Sequence, residues 1–134
     1  MMNVQSKDGT RIAFWRSGTG PALVLVHGTL VDHACWDGVV AELKQHFTLY
    51  AMERRGRGDS GDGKTFAVQY EVEDLVAVVN AIGSRVQVMG HSYGALLAVE
   101  AARLTPKIAG LLLYDPPMIS FGSDELPAGT VEQL

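Results

Sequence analysis

Residues 86–104, VQVMGHSYGALLAVEAARL, constrain the fold of this chain more than any other stretch. A short apolar run breaks on a glycine and restarts at once as a helical segment, with Ser92 at the joint. The body of that helix, ALLAVEAARL, is apolar on nearly every side, as expected of a helix that buries itself against the strand it has just left. Such a unit belongs in a sheet covered by helices.

The rest of the chain continues the alternation. RIAFW (11–15) and ALVLVHG (22–28) read as strands separated by the turn RSGTGP, and the second is continuously apolar, as in a strand covered on both faces. Trp36, Val39, Val40, Leu43 and Phe47 fall on one helical stripe. TLYAM (48–52) returns to strand. Val72, Leu75, Val76, Val79 and Ile82 form a second stripe, with Glu71, Glu73 and Asp74 expected in its first turn at the positive end of the helix dipole and Gly83 closing it. RVQVM is then strand, 93–104 helix, and IAGLLLYD (108–115) strand again. This order predicts an α/β fold with a mostly parallel sheet flanked by helices.

Composition narrows the function. At 134 residues, 47% of them hydrophobic, the chain has material for one core. Eleven Lys and Arg against fifteen Asp and Glu give a net charge of −4 and no basic stripe, which argues against a nucleic-acid partner. The polar opening MMNVQSKDG lacks the apolar core of a signal peptide, and no apolar run approaches a membrane span, so a cytoplasmic protein is expected. Cys35 is the only cysteine; the expectation is a half-buried structural thiol in a reducing compartment. No metal or organic cofactor is implied.

Gly90, Ser92 and Gly94 form G-x-S-x-G between strand and helix, the context of a nucleophile elbow. The glycines let strand and helix approach closely around a strained serine. The bland alternative is a serine in an ordinary glycine-rich turn. In VLVHGTL, the loop after His27 and Gly28 can aim the Thr29 N–H at the same pocket as the Tyr93 N–H, and two such donors make an oxyanion hole. His27, just before the glycine turn, is expected to bond neighbouring backbone and fix the loop rather than act as base. His91 is expected to point away from Ser92, and His33 and His46 to lie in a loop and on a helix surface.

VLVHGT, ERRGRGDSG, VMGHSYGA and LLLYDPP, in that order, resemble the first half of an α/β-hydrolase fold protein. The resemblance implies a sheet of eight strands, about six of which can be placed here, with its N-terminal strands antiparallel, Ser92 as nucleophile, and the Thr29 and Tyr93 N–H groups as oxyanion hole. Serine at the elbow points to small ester or related acyl substrates. Glu53 stands where the family usually has Asp. The family's order is Ser, then Asp or Glu, then His, yet no histidine follows Ser92. Asp115 sits where a minority of members keep the triad acid, and is read here as a strand-end or turn residue before Pro116 and Pro117. Residues 1–117 are thus read as the N-terminal part of the core, and 118–134 as the start of a cap or a disordered tail. The chain is expected to be a fragment or short form with little activity of its own, and strand 108–115 to offer an open edge for self-association or a complementing chain.

Two rival readings come from other classes. Gly58 to Thr65, GDSGDGKT, matches the phosphate-binding P-loop, with Lys64 on phosphates and Thr65 on Mg²⁺, and Gly56, Gly58 and Gly61 satisfy G-x-G-x-x-G. Five residues, ERRGR, separate Gly58 from the strand, where a P-loop would follow it directly, so a solvated loop turned by Asp59 and Ser60 is expected. The other rival is a non-catalytic scaffold that keeps the fold without the base.

Overall fold

The computed structural model describes residues 1–117; the expectation for 118–134 lies outside them. Six strands form one sheet: β1 (Met2–Gln5), β2 (Arg11–Gly18), β3 (Ala22–Val26), β4 (Thr48–Met52), β5 (Val86–His91) and β6 (Ile108–Tyr114), in the order β1-β2-β4-β3-β5-β6. β1 and β2 pair antiparallel, as do β2 and β4, while β4, β3, β5 and β6 are mutually parallel along the sheet. Between them lie a 3₁₀ turn (His33–Trp36) leading into α1 (Asp37–Leu43), then α2 (Val68–Ile82) and α3 (Tyr93–Leu104).

The continuously apolar β3 is explained by coverage of both faces. Val24 and Val26 pack with Phe14, Met52, Val88 and the inward faces of α2 and α3, whereas Leu23 and Leu25 pack on the other side with Leu49 and Trp36. Burying a side chain such as Leu25 or Phe14 contributes about 1.5–3 kcal/mol. Gly83 closes α2 in a left-handed conformation, φ 77°.

Several expectations are corrected. β2 continues through Arg16 and Ser17 to Gly18, because those residues pair with Tyr50 and Leu49 of β4. The first helix is shorter than its stripe. Trp36 belongs to the 3₁₀ turn and Phe47 to the turn after α1, although both pack on the second core face, and Val39 is exposed. With Trp36 turned inward, Cys35 faces out and is exposed rather than half-buried; residual desolvation and the Asp32 and Asp37 carboxylates push its thiol pKa up. Val99 and Leu104 of α3 are exposed, since only one face of that helix meets the sheet.

The acidic start of α2 also has a different role. The helix begins at Val68, so only Glu71 lies in the first turn. Glu71 and Asp74 are buried and paired with arginines from the loop after β4. Arg55 bonds both oxygens of Asp74 at 2.7 Å, Asp8 of the β1–β2 turn at 2.9 Å, and the Thr65 carbonyl at 3.1 Å. One side chain thereby ties hairpin, loop and helix together.

Candidate active site

The sheet topology creates a crevice at the carboxyl ends of β3 and β5. From β3 the chain moves to one neighbour, β4, and then crosses back to the other, β5, the kind of switch point where open α/β sheets bind ligands. Val26 is paired with Gly90, so two residues further on Gly28 lies beside Ser92. A methyl group placed on Gly28 would sit 3.2 Å from Ser92 Cβ and 3.4 Å from His91 Nδ1.

Ser92 occupies the joint between β5 and α3 with φ 52° and ψ −120°. Such a conformation costs a non-glycine residue about 1–3 kcal/mol and has to be held in place by its surroundings. The holding contacts are visible. Ser92 N donates to the Tyr114 carbonyl at 3.0 Å, its own carbonyl accepts from Ala95 N at 2.9 Å, and its side chain makes no capping bond to α3. A Cβ on Gly90 would overlap the Gly94 carbonyl oxygen, and one on Gly94 would overlap that of Val26. Only at this close approach does the N-terminus of α3 reach the crevice.

His27 is fully buried at the end of β3. Its Nδ1 is 2.9 Å from the Gly28 carbonyl, and its Nε2 accepts the Arg54 backbone N–H at 3.1 Å. These partners define a neutral ring protonated on Nδ1. Burial pulls its pKa down to about 4, against the raising effect of the Gly28 carbonyl. Both ring nitrogens are therefore engaged with backbone.

The other histidines are placed separately. The His91 ring lies 5.1 Å from that of Tyr114. His46 faces Glu42 on the surface at 3.7 Å. His33, in the 3₁₀ turn, stacks on Trp15 at 3.9 Å and bonds through Nδ1 to Glu53. Glu53 is itself buried and accepts from Asp59 N at 2.6 Å. Among the described residues no hydrogen bond joins Ser92 Oγ to a histidine. Asp115 follows β6 with φ 48°.

Three residues acquire a place here that sequence reading did not give them. Arg54, buried after β4, donates from Nη1 to the Gly28 carbonyl at 2.9 Å and from Nε to Glu71 Oε1 at 2.8 Å. The Tyr93 hydroxyl donates to Glu71 Oε2 at 2.9 Å, and the Arg54 guanidinium lies 4.4 Å above the Tyr93 ring. Burial first, then Glu71, pushes the Tyr93 phenol pKa up to about 12, so it remains a donor. No spacing rule links residues 28, 54, 71 and 93; the only signal was the first arginine of ERRGRG. Beside this cluster a cleft of about 390 Å³ is lined by Thr29, Phe66 and Tyr93, with Arg54 and Glu71 also on its wall. A larger hollow of about 620 Å³ between β1 and α2 contains neither Ser92 nor a histidine.

The P-loop match does not form a phosphate cradle. Residues 53–67 are an irregular loop, and Lys64 and Thr65 are exposed in it. Gly58 packs directly on the Glu53 carboxylate, which would repel a phosphate. Gly63 and the Thr65 carbonyl instead pack on Arg55.

A mostly parallel sheet with a serine at a strained strand-to-helix joint, beside a glycine loop from the adjacent strand, defines an α/β-hydrolase fold. The profile of the alpha/beta hydrolase family matches residues 23–132, and the chain belongs to that family. A crystal structure of an alpha/beta hydrolase from Sphaerobacter thermophilus is similar with 44% identity and a TM-score of 0.83, covering 91% of this chain and 48% of that one. N-formylmaleamate deformylase of Pseudomonas putida is 33% identical over 92% of this chain and 48% of its own length. A thermophilic esterase from Thermogutta terrifontis, solved with malate bound, has 27% identity and a TM-score of 0.81, covering 92% and 48% respectively. The chain spans about a third to a half of the length of the relatives it matches. Among the described residues, no helix is long and apolar enough to cross a membrane.

Proposed function

We propose that the chain carries the nucleophile and oxyanion hole of a serine hydrolase acting on small ester or related acyl substrates. Ser92 Oγ attacks the acyl carbon as its proton passes to the base, the N–H groups of Thr29 and Tyr93 receive the developing oxyanion, and collapse of the tetrahedral intermediate breaks the bond to the leaving group, which departs with that proton. The observation that carries this reading is the backbone of Ser92: a serine held at φ 52°, against Gly28, at the N-terminus of α3. Relatives named as esterase and deformylase support acyl transfer as the reaction class.

The base and triad acid are not assigned. The four histidines are His27, His33, His46 and His91, and none follows Ser92 in the chain. The base is proposed to come from a complementing polypeptide. Among the described residues β6 lies at the edge of the sheet, with Leu112, Leu113 and Tyr114 exposed, and this edge is the proposed seat of self-association or of that complementing chain. The second reading, a scaffold that keeps the fold without the chemistry, rests on the same missing histidine.

The two readings differ in one experiment. With a polypeptide carrying the second half of the fold present to supply the base, a fluorophosphonate probe is expected to add to Ser92 and to leave Ser92→Ala unmodified, as read by intact mass and peptide mapping. An unmodified wild-type chain in that mixture, with its fold verified by circular dichroism, would favour the scaffold.

A further inference from the structure

Arg54 touches both halves of the proposed oxyanion hole. Its Nη1 donates to the Gly28 carbonyl at 2.9 Å, and the His27 ring meets the same oxygen at 2.9 Å. That carbonyl belongs to the peptide unit whose N–H is that of Thr29. No described peptide bond is cis, so the N–H points opposite to the carbonyl. Fixing the Gly28 oxygen toward Arg54 and His27 therefore fixes the direction of the Thr29 N–H.

The second half is held through the Tyr93 side chain. Its hydroxyl donates to Glu71 Oε2 at 2.9 Å, while Glu71 Oε1 takes Nε and Nη2 of Arg54, each at 2.8 Å. The guanidinium also lies 4.4 Å over the Tyr93 ring. Every donor edge of Arg54 with a recorded contact is committed to this cluster, including the backbone N–H that holds His27 Nε2 at 3.1 Å.

We propose that Arg54, with Glu71 as its counter-ion and the Tyr93 ring beneath its guanidinium, is a positioning residue that aims the Thr29 and Tyr93 N–H groups at a common point. The proposal rests on the reading of Ser92 as nucleophile and adds to it the device that orients its oxyanion donors. A plain core ion pair would contribute to stability alone. A positioning residue acts on the chemical step, because misaiming a donor weakens transition-state stabilisation more than substrate binding.

The test compares Arg54→Met, the double variant Arg54→Met/Glu71→Leu, and Tyr93→Phe with the wild-type chain, each mixed with a polypeptide that carries the second half of the fold and supplies the base. Replacing a buried ion pair by apolar residues is often neutral for stability, whereas removing one partner leaves an unpaired charge. The double variant therefore keeps the question open to measurement if Arg54→Met fails to fold. The maximal rate of fluorophosphonate addition to Ser92 is expected to fall about 10- to 100-fold in Arg54→Met and in the double variant, with the half-saturating probe concentration within about twofold. Tyr93→Phe is expected to show a smaller fall in the same direction. Recovery of melting temperature without recovery of rate in the double variant upholds the proposal, and a wild-type rate there overturns it. Amide hydrogen exchange gives a reading independent of chemistry. Thr29 is expected to exchange at least about 10-fold faster in the double variant, while amides in the centre of β3 remain protected. Should the wild-type chain take no label even with the second half of the fold present, the nucleophile reading fails by itself, and unchanged exchange at Thr29 would separately overturn the role of Arg54.

Discussion

Mixed with a polypeptide carrying the second half of the fold, such as that of the 44%-identical Sphaerobacter hydrolase, the chain is expected to gain at least about 10³-fold in p-nitrophenyl acetate hydrolysis. Loss of a triad member leaves only the contribution of the oxyanion hole and binding, about 10³–10⁴ over the uncatalysed reaction, which is easily missed in an esterase assay. Adding the base restores proton transfer at Ser92 Oγ without changing the donors. The gain should vanish when Ser92→Ala replaces the chain, and should depend on the concentration of the added half. Strong turnover by the chain alone, abolished in Ser92→Ala, would instead make one of His27, His33, His46 or His91 the base. His27 is poorly placed for that, since both its ring nitrogens are engaged with backbone groups.

Gly94→Ala is expected to cost at least about 3 kcal/mol of folding stability. The added methyl would overlap the Val26 carbonyl oxygen and come within 2.7 Å of that of His27. Both are backbone atoms of the central strand and the turn after it, so relief requires α3 to move away from β3. That movement would also withdraw the Tyr93 N–H from the crevice. Gly38→Ala is the matching control. Gly38 sits in α1 with open space around its Cα, so a methyl there is expected to stabilise by about 0.5–1 kcal/mol through helix propensity. Urea midpoints for the two variants separate steric conflict at the elbow from a general effect of losing glycine. A Gly94→Ala midpoint equal to wild type would mean that α3 does not pack against β3 as described.

The strands and the elbow were legible because their signals are local. TLYAM coincides with β4, and residues 93–104 coincide with α3, where periodicity and a glycine-bounded joint mark both ends. β1 was not marked by its residues, because MNVQ is a polar edge strand whose pairing with β2 supplies what its side chains do not. The stripe from Trp36 to Phe47 is real as a packed surface but is divided among a 3₁₀ turn, a short helix and a following turn, which periodicity does not separate. The charged residues were the least legible. Glu71 and Asp74 read as ornaments of a helix dipole because their partners, Arg54 and Arg55, lie 17 and 19 residues away in an irregular loop. The same loop carries the GDSGDGKT pattern, in which Gly58 packs on Glu53, Gly61 on the backbone of Arg11, and Gly63 on Arg55.

The central claim is that Ser92 Oγ, Thr29 N–H and Tyr93 N–H converge on one reacting centre. Its most direct test is a crystal structure of the fluorophosphonate adduct. The account predicts phosphorus bonded to Ser92 Oγ and one phosphonyl oxygen about 2.7–3.1 Å from both Thr29 N and Tyr93 N. An adduct on another residue, or a phosphonyl oxygen turned away from both amides, would contradict it.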